Sequence, residues 1–130
     1  MNQYVSDTMA IVSYLAKRRL PPSVKQLFQS ADLGLHTIYI PAIVAVEINY
    51  LSEKGRIDSS LADLKQHLSQ YAGYQFYPLT LEIIEASRAI TDVPELHDRL
   101  IAATARLLNV PLITNDPLIQ GSAYLQTVWL

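Results

Sequence analysis

Four acidic residues stand where carboxylates are either costly or conspicuous: Asp7, Glu47, Asp98 and Asp116. Glu47 lies in IVAVEINYL, where Val44, Glu47, Ile48 and Leu51 share one helical face at i, i+3, i+4 and i+7. A carboxylate on an apolar stripe must be paired, protonated or bound to a cation, because burying it alone is expensive. Asp98 repeats the pattern with Ile101, Ala102 and Ala105. Asp7 and Asp116 each close a short apolar run, in YVSD and LITND. Singly, each acid has an ordinary explanation: a helix cap at Asp7, a turn before Pro117 at Asp116, a buried arginine partner for Glu47, and the helix dipole for Asp98. Four such coincidences point to one shared site. The sequence has no cysteine and shows no histidine pair at ligand spacing, so the donors would be oxygens, which suit Mg²⁺ or Mn²⁺. Such ions relieve carboxylate repulsion and, in pairs roughly 3.5 to 4 Å apart, hydrolyse phosphodiesters.

Strands and helices must bring these acids together. Five short runs rich in β-branched or aromatic residues read as strands: QYVS before Asp7, TIYI at 37–40, YQFYP at 74–78, PLIT at 111–114 and QTVWL at the end. Helices are predicted over 8–19, 22–33, 41–54, 58–71, 80–91 and 94–109, from prolines in first turns, caps, and stops at Gly55, Gly73 and Pro111. The order β-α-α-β-α-α-β-α-α-β-β implies a parallel α/β sheet of about five strands with helices on both faces. Ligands of such sheets collect beyond the carboxyl ends of the strands, which is where Asp7 and Asp116 fall. The alanines at 102, 103 and 105 let the sixth helix pack closely and carry Asp98 toward the same rim.

At 130 residues the chain fits a single domain, 1–130, with its own core. Half of the residues are hydrophobic and 17% are charged, which suggests apolar surface covered by a partner, most simply a homodimer. The absence of cysteine, of a signal-peptide pattern and of a long apolar run predicts a cytoplasmic protein with no membrane role. A net charge of -2 argues against a strongly basic nucleic-acid binder. The one basic cluster is Lys17, Arg18 and Arg19, placed at the end of the first helix, with Arg99 on the outer face of the sixth or turned toward a ligand. These four are the candidate contacts for a nucleic-acid backbone. His97, one residue off the Asp98 stripe, reads as a packing or surface residue.

The segments YVSDTMAIVSYL, IPAIVAVEINYLSEKGRI, ELHDRLIAATARLL and PLITND together resemble PIN-domain ribonucleases, of the kind found as VapC toxins of VapBC toxin–antitoxin pairs. The resemblance spans nearly the whole chain, and HDRLIAATA followed by LITND is its most specific part. It implies a PIN-like fold in which Asp7, Glu47, Asp98 and Asp116 are the catalytic, metal-binding acids, with Thr8, Thr114 and Asn115 as polar neighbours. It also implies Mg²⁺- or Mn²⁺-dependent endonucleolytic hydrolysis of RNA by water, a homodimer, and a cognate antitoxin lying across the acidic cleft. Two alternatives stay open: a catalytically silent PIN-like module that binds RNA or protein, and a receiver-type Mg²⁺-binding signalling domain. The receiver pattern wants a second acid after the first strand and a late lysine, whereas the chain offers Ser6-Asp7 and no lysine after Lys65.

Overall fold

A computed structural model describes residues 2–130. Strands β1 (Asn2–Ser6), β2 (His36–Pro41), β3 (Tyr74–Tyr77), β4 (Leu112–Ile113) and β5 (Thr127–Val128) form one sheet in the order β3-β2-β1-β4-β5. Every pairing is parallel. Helices α1 (Thr8–Leu15) and α2 (Pro22–Asp32) link β1 to β2, and α3 (Ala42–Glu53) and α4 (Leu61–Gln70) link β2 to β3. Helices α5 (Leu81–Ser87) and α6 (Leu96–Leu108) lead to β4, and a short α7 (Pro117–Gln120) precedes β5.

The chain steps outward from central β1 to β2 and β3, then crosses back to β4 on the other side of β1. Because parallel crossovers are right-handed, reversing the step direction sends the β3–β4 helices to the opposite face from those before them. The switch point of the sheet therefore lies between the carboxyl ends of β1 and β4. Register fixes it further, since Ser6 pairs with Ile113 and the Asp7 N–H donates to the Ile113 carbonyl at 3.1 Å. The core is built from side chains such as Val5, Ile11, Ile38, Ile48, Ile101 and Leu112, all at most 1% exposed. The alanines of α6 are fully packed, Ala102, Ala103 and Ala105 each at 0%.

The expected order omitted α7. Its signal was present, with Asp116 as N-cap and Pro117 at the first helical position, but four residues are too few for a periodic pattern. Helix α1 is also four residues shorter than the predicted 8–19. Lys17 takes the left-handed conformation (φ 56°), its N–H donates to Tyr14, and the Arg18 N–H donates to Ser13 at 2.8 Å. This is a Schellman ending with lysine where glycine is usual, so no residue type announced it. Lys17, Arg18 and Arg19 accordingly follow directly on the end of the helix, in a loop.

Candidate active site

Asp7 is the N-cap of α1, and its Oδ1 accepts from the Ala10 N–H at 2.9 Å. Its other oxygen accepts from the hydroxyl of Thr114, a fully buried residue at the end of β4, at 2.5 Å. The same Thr114 oxygen accepts from the Asp116 N–H at 3.1 Å, tying the ends of β1 and β4 into one hydrogen-bonded unit. Asp116 caps α7 through the Leu118 N–H at 2.9 Å. Glu47, from the buried side of α3, accepts from the Thr8 hydroxyl at 2.5 Å and faces His97 Nδ1 at 3.5 Å. Among the described residues no arginine pairs with it. Asp98 stands in the first turn of α6, where its N–H is capped by Glu95 at 2.8 Å. Among the described residues nothing donates to the Asp98 carboxylate.

Asp7, Glu47, Asp98 and Asp116 all line one cavity of about 630 Å³, together with Thr8 and Asn115. Burial pushes the Asp98 carboxyl up to about 7, aided by the charges of Glu95, Asp116, Glu47 and Asp7. Burial likewise pushes Asp7 up to about 6, against the opposing hydrogen bonds from Thr114 and Ala10, with Asp116 and Glu47 adding repulsion. The cavity thus concentrates negative charge that its own hydrogen bonds do not fully compensate.

The basic residues separate. Arg19 lines the acidic cavity, whereas Lys17 and Arg18 line a neighbouring one. Arg99 is bent back, its Nε donating to the Val93 carbonyl at 2.7 Å, and does not line the acidic cavity. Three residues at or beside the cavity were not expected from sequence. Trp129 supplies an aromatic wall from beyond β5. Glu95 adds a fifth carboxylate beside the rim, and the spacing from Pro94-Glu95 to Asp98 was its only trace, as a helix start. His97 is more than a packing residue, bridging Glu95 at 3.3 Å and Glu47 at 3.5 Å.

Removing the Thr114 hydroxyl tests the tie between the strand ends. Thr114→Val takes from Asp7 a bond that favours its ionised form, and from the Asp116 N–H its acceptor. The expected result is a stability loss of about 1–2 kcal/mol in denaturant titration, with the Asp7 carboxyl, followed by NMR, titrating above about 6.

Fold and cavity define a parallel α/β domain with an acid-lined cleft at the switch point of its sheet. A family model for the PIN domain matches residues 4–120, and the chain belongs to the PIN domain family. Its backbone is similar to a chain of VapBC2 from Rickettsia felis bound to a DNA fragment from their promoter, with a TM-score of 0.74, 20% identity, and 97% of each chain covered. It is similar also to a chain of a toxin–antitoxin complex from Klebsiella pneumoniae, with a TM-score of 0.67, 19% identity, and 96% of this chain and 95% of that one covered. A third likeness is to FitAcB from Neisseria gonorrhoeae, with a TM-score of 0.65, 20% identity and 95% of each chain covered. No curated protein matches the sequence. The strand order 3-2-1-4-5 also differs from the 2-1-3-4-5 order of receiver domains, which removes the signalling alternative.

Proposed function

We propose that this PIN-domain chain is a metal-dependent endoribonuclease of a single domain, 1–130, acting in the cytoplasm as the toxin of a toxin–antitoxin pair. The observation that carries the nuclease reading is the meeting of Asp7, Glu47, Asp98 and Asp116, from two helices and two strand-end connections, on one cavity at the switch point. Near-full-length likeness to chains of toxin–antitoxin complexes supports the toxin assignment. The family resemblance supports RNA as the substrate.

Among the described residues no three His, Asp or Glu side chains are already grouped to hold an ion. The donor chemistry nevertheless fits Mg²⁺ or Mn²⁺, because the carboxylates are all-oxygen ligands in mutual repulsion and Asp98 has no donor to its carboxylate among the described residues. Mg²⁺ is ordinarily held by one or two carboxylates, with water and substrate phosphate completing its shell, so a closed protein cage is not required. Asp7, Asp98, Asp116 and Glu47 would hold the ion, which supplies charge for the phosphate and an activated water for attack. The protein's own part is positioning. Thr114 and the Ala10 N–H orient Asp7, Thr8 and His97 orient Glu47, and Arg19 offers a cation to a phosphate entering the cavity.

Purified protein incubated with total RNA and Mg²⁺ or Mn²⁺ should give discrete cleavage products, and Asp98→Asn should give none. Absence of cleavage by the unaltered chain with either ion would overturn the reading. It would leave the second one, a catalytically silent PIN-like binding module.

Acidity makes a further prediction for the metal-free protein. Both raised carboxyls bind protons more tightly folded than unfolded, so their contribution to stability is complete below about pH 4. It is lost as pH rises through about 6 for Asp7 and about 7 for Asp98. Metal-free protein should therefore melt progressively lower from pH 5 to pH 8 in calorimetry. Affinity for Mg²⁺ in calorimetric titration should rise over the same window, because the ligands must ionise.

Exposed apolar side chains on α3 and α5, including Val46, Tyr50, Leu81 and Ile84, support the proposed homodimer and antitoxin contact. Sedimentation at micromolar concentration should give twice the monomer mass, and a monomer there would remove the dimer alone. No helix among the described residues is long and apolar enough to cross a membrane.

A further inference from the structure

A second cavity, of about 430 Å³, lies against the first and shares Leu20 with it. It is enclosed by the end of α1, the 17–20 loop, α2 and α4, and its character is opposite. Lys17, Arg18 and Lys25 line it, with Gln29, Tyr71 and a single acid, Asp32. That acid is already engaged: one oxygen accepts from the Tyr14 hydroxyl and the other meets His67 Nε2 at 3.0 Å. His67 in turn packs on Tyr71, with ring centres 4.5 Å apart, which fixes the position of the tyrosine ring. Among the described residues neither Lys17 nor Lys25 has an ion-pair partner, and Arg18 reaches only the exposed Asp58, at 3.5 Å.

Within a chain of net charge -2 that holds only ten Lys and Arg, gathering three cations on one cavity, two of them without an ion-pair partner among the described residues, is a local inversion of sign. Lys17 moreover occupies a left-handed position that glycine would fill at lower cost. An aromatic ring among cations suits an unpaired nucleotide, whose base stacks while its phosphates meet the lysines. The acidic cavity repels phosphate on its own, and the 17–20 loop joins it to this attractive one through Arg19 and Leu20 on one side and Lys17, Arg18 and Leu20 on the other.

We propose that the cavity between α1, α2 and α4 is a subsite for an unpaired RNA nucleotide flanking the cleaved bond, with Lys17 and Lys25 holding its phosphates and Tyr71 stacking its base. The inference rests on the nuclease reading for the position of the bond, and its test is separable from it. Binding of a short fluorescein-labelled single-stranded RNA to the full chain is measured by anisotropy across a salt series, in an Asp98→Asn background that prevents cleavage. Lys17→Gly/Lys25→Ala should weaken binding about tenfold or more and reduce the slope of log K against log[salt] by about 1.4, the value for two single-strand phosphate contacts. Lys17→Gly relieves backbone strain, so its loss of affinity is not a folding defect. Tyr71→Leu should weaken binding about fivefold or more and leave the slope unchanged. In the cleaving chain the same variants should raise KM and retain kcat.

Unchanged affinity and slope in both variants would overturn the subsite, even if the chain cleaves RNA. Variants that keep RNA affinity while losing a co-purified protein partner would overturn it too, assigning the cavity to that partner. Weakened RNA binding by a chain that cleaves nothing would sustain the subsite and end the nuclease reading.

Discussion

Asp98→Asn should abolish RNA cleavage and, in the same protein freed of divalent ions, raise the melting temperature. The two effects share one cause. Asp98 is half-buried, accepts no hydrogen bond from the described residues, and feels the charges of Glu95, Asp116, Glu47 and Asp7, which with burial lift its carboxyl to about 7. At pH 8 the folded metal-free protein must keep that group ionised against repulsion, and the unfolded chain need not. Asparagine of nearly the same shape removes the charge and the repulsion together. The helix start is untouched, because it is the Asp98 N–H, not its side chain, that meets Glu95. The gain after solvent screening is about 1–2 kcal/mol, or roughly 4–8 °C in a chain of this size. The cleavage loss should be at least about 100-fold, the scale on which removal of a transition-state charge partner acts. Addition of Mg²⁺ should reverse the order of stabilities, raising the unaltered protein above the variant through ligand linkage. A variant that melts lower than the unaltered protein without metal, at pH 8, would show that Asp98 is structural.

The positions of these acids were readable from sequence to very different degrees. Asp7 and Asp116 followed from strand ends and the switch-point rule, because a parallel sheet dictates where its loops gather. Glu47 and Asp98 followed from period: a carboxylate in an apolar stripe is anomalous whatever the fold. Glu95 and His97 left no such anomaly, since an acid before a helix and a histidine one step off a stripe are what solvent-facing positions also show. Their contact with the site depends on the crossing of α3 and α6, which no local pattern encodes. Trp129 is similar, belonging to the tail after a two-residue strand. The basic triplet is a different case. Lys17, Arg18 and Arg19 were legible as a charge cluster, yet the left-handed turn at Lys17 parts them between two cavities. One dihedral angle, which the residue type does not announce, separates them.

Gly73→Ala should be the most destabilising glycine-to-alanine change in this chain, and its origin lies away from the acids. A β-carbon at Gly73 would stand 2.1 Å from the Ala31 carbonyl oxygen and 2.9 Å from that of His36, both backbone atoms that no rotamer change can move. Gly73 itself passes its carbonyl to the Ile38 N–H at 2.8 Å, so the chain cannot retreat without breaking the pairing that starts β2 beside β3. Either α2 moves off the sheet or the edge strand does, and both routes expose buried Phe28 or Tyr74. The cost is about 3 kcal/mol or more, lowering the melting temperature by roughly 12 °C. Gly121→Ala is the matched control, because its β-carbon would meet nothing nearer than 3.4 Å. It should melt within about 2 °C of the unaltered protein, as surface substitutions do. The two ends of the sheet thus make opposite demands. Where the strands begin, a missing methyl group lets backbones touch and any addition destabilises; where they end, stability is given up to hold carboxylates together, and removing a charge restores it. Equal melting temperatures for the two glycine variants would show that the α2–β3 approach has slack and that the fold tolerates displacement there.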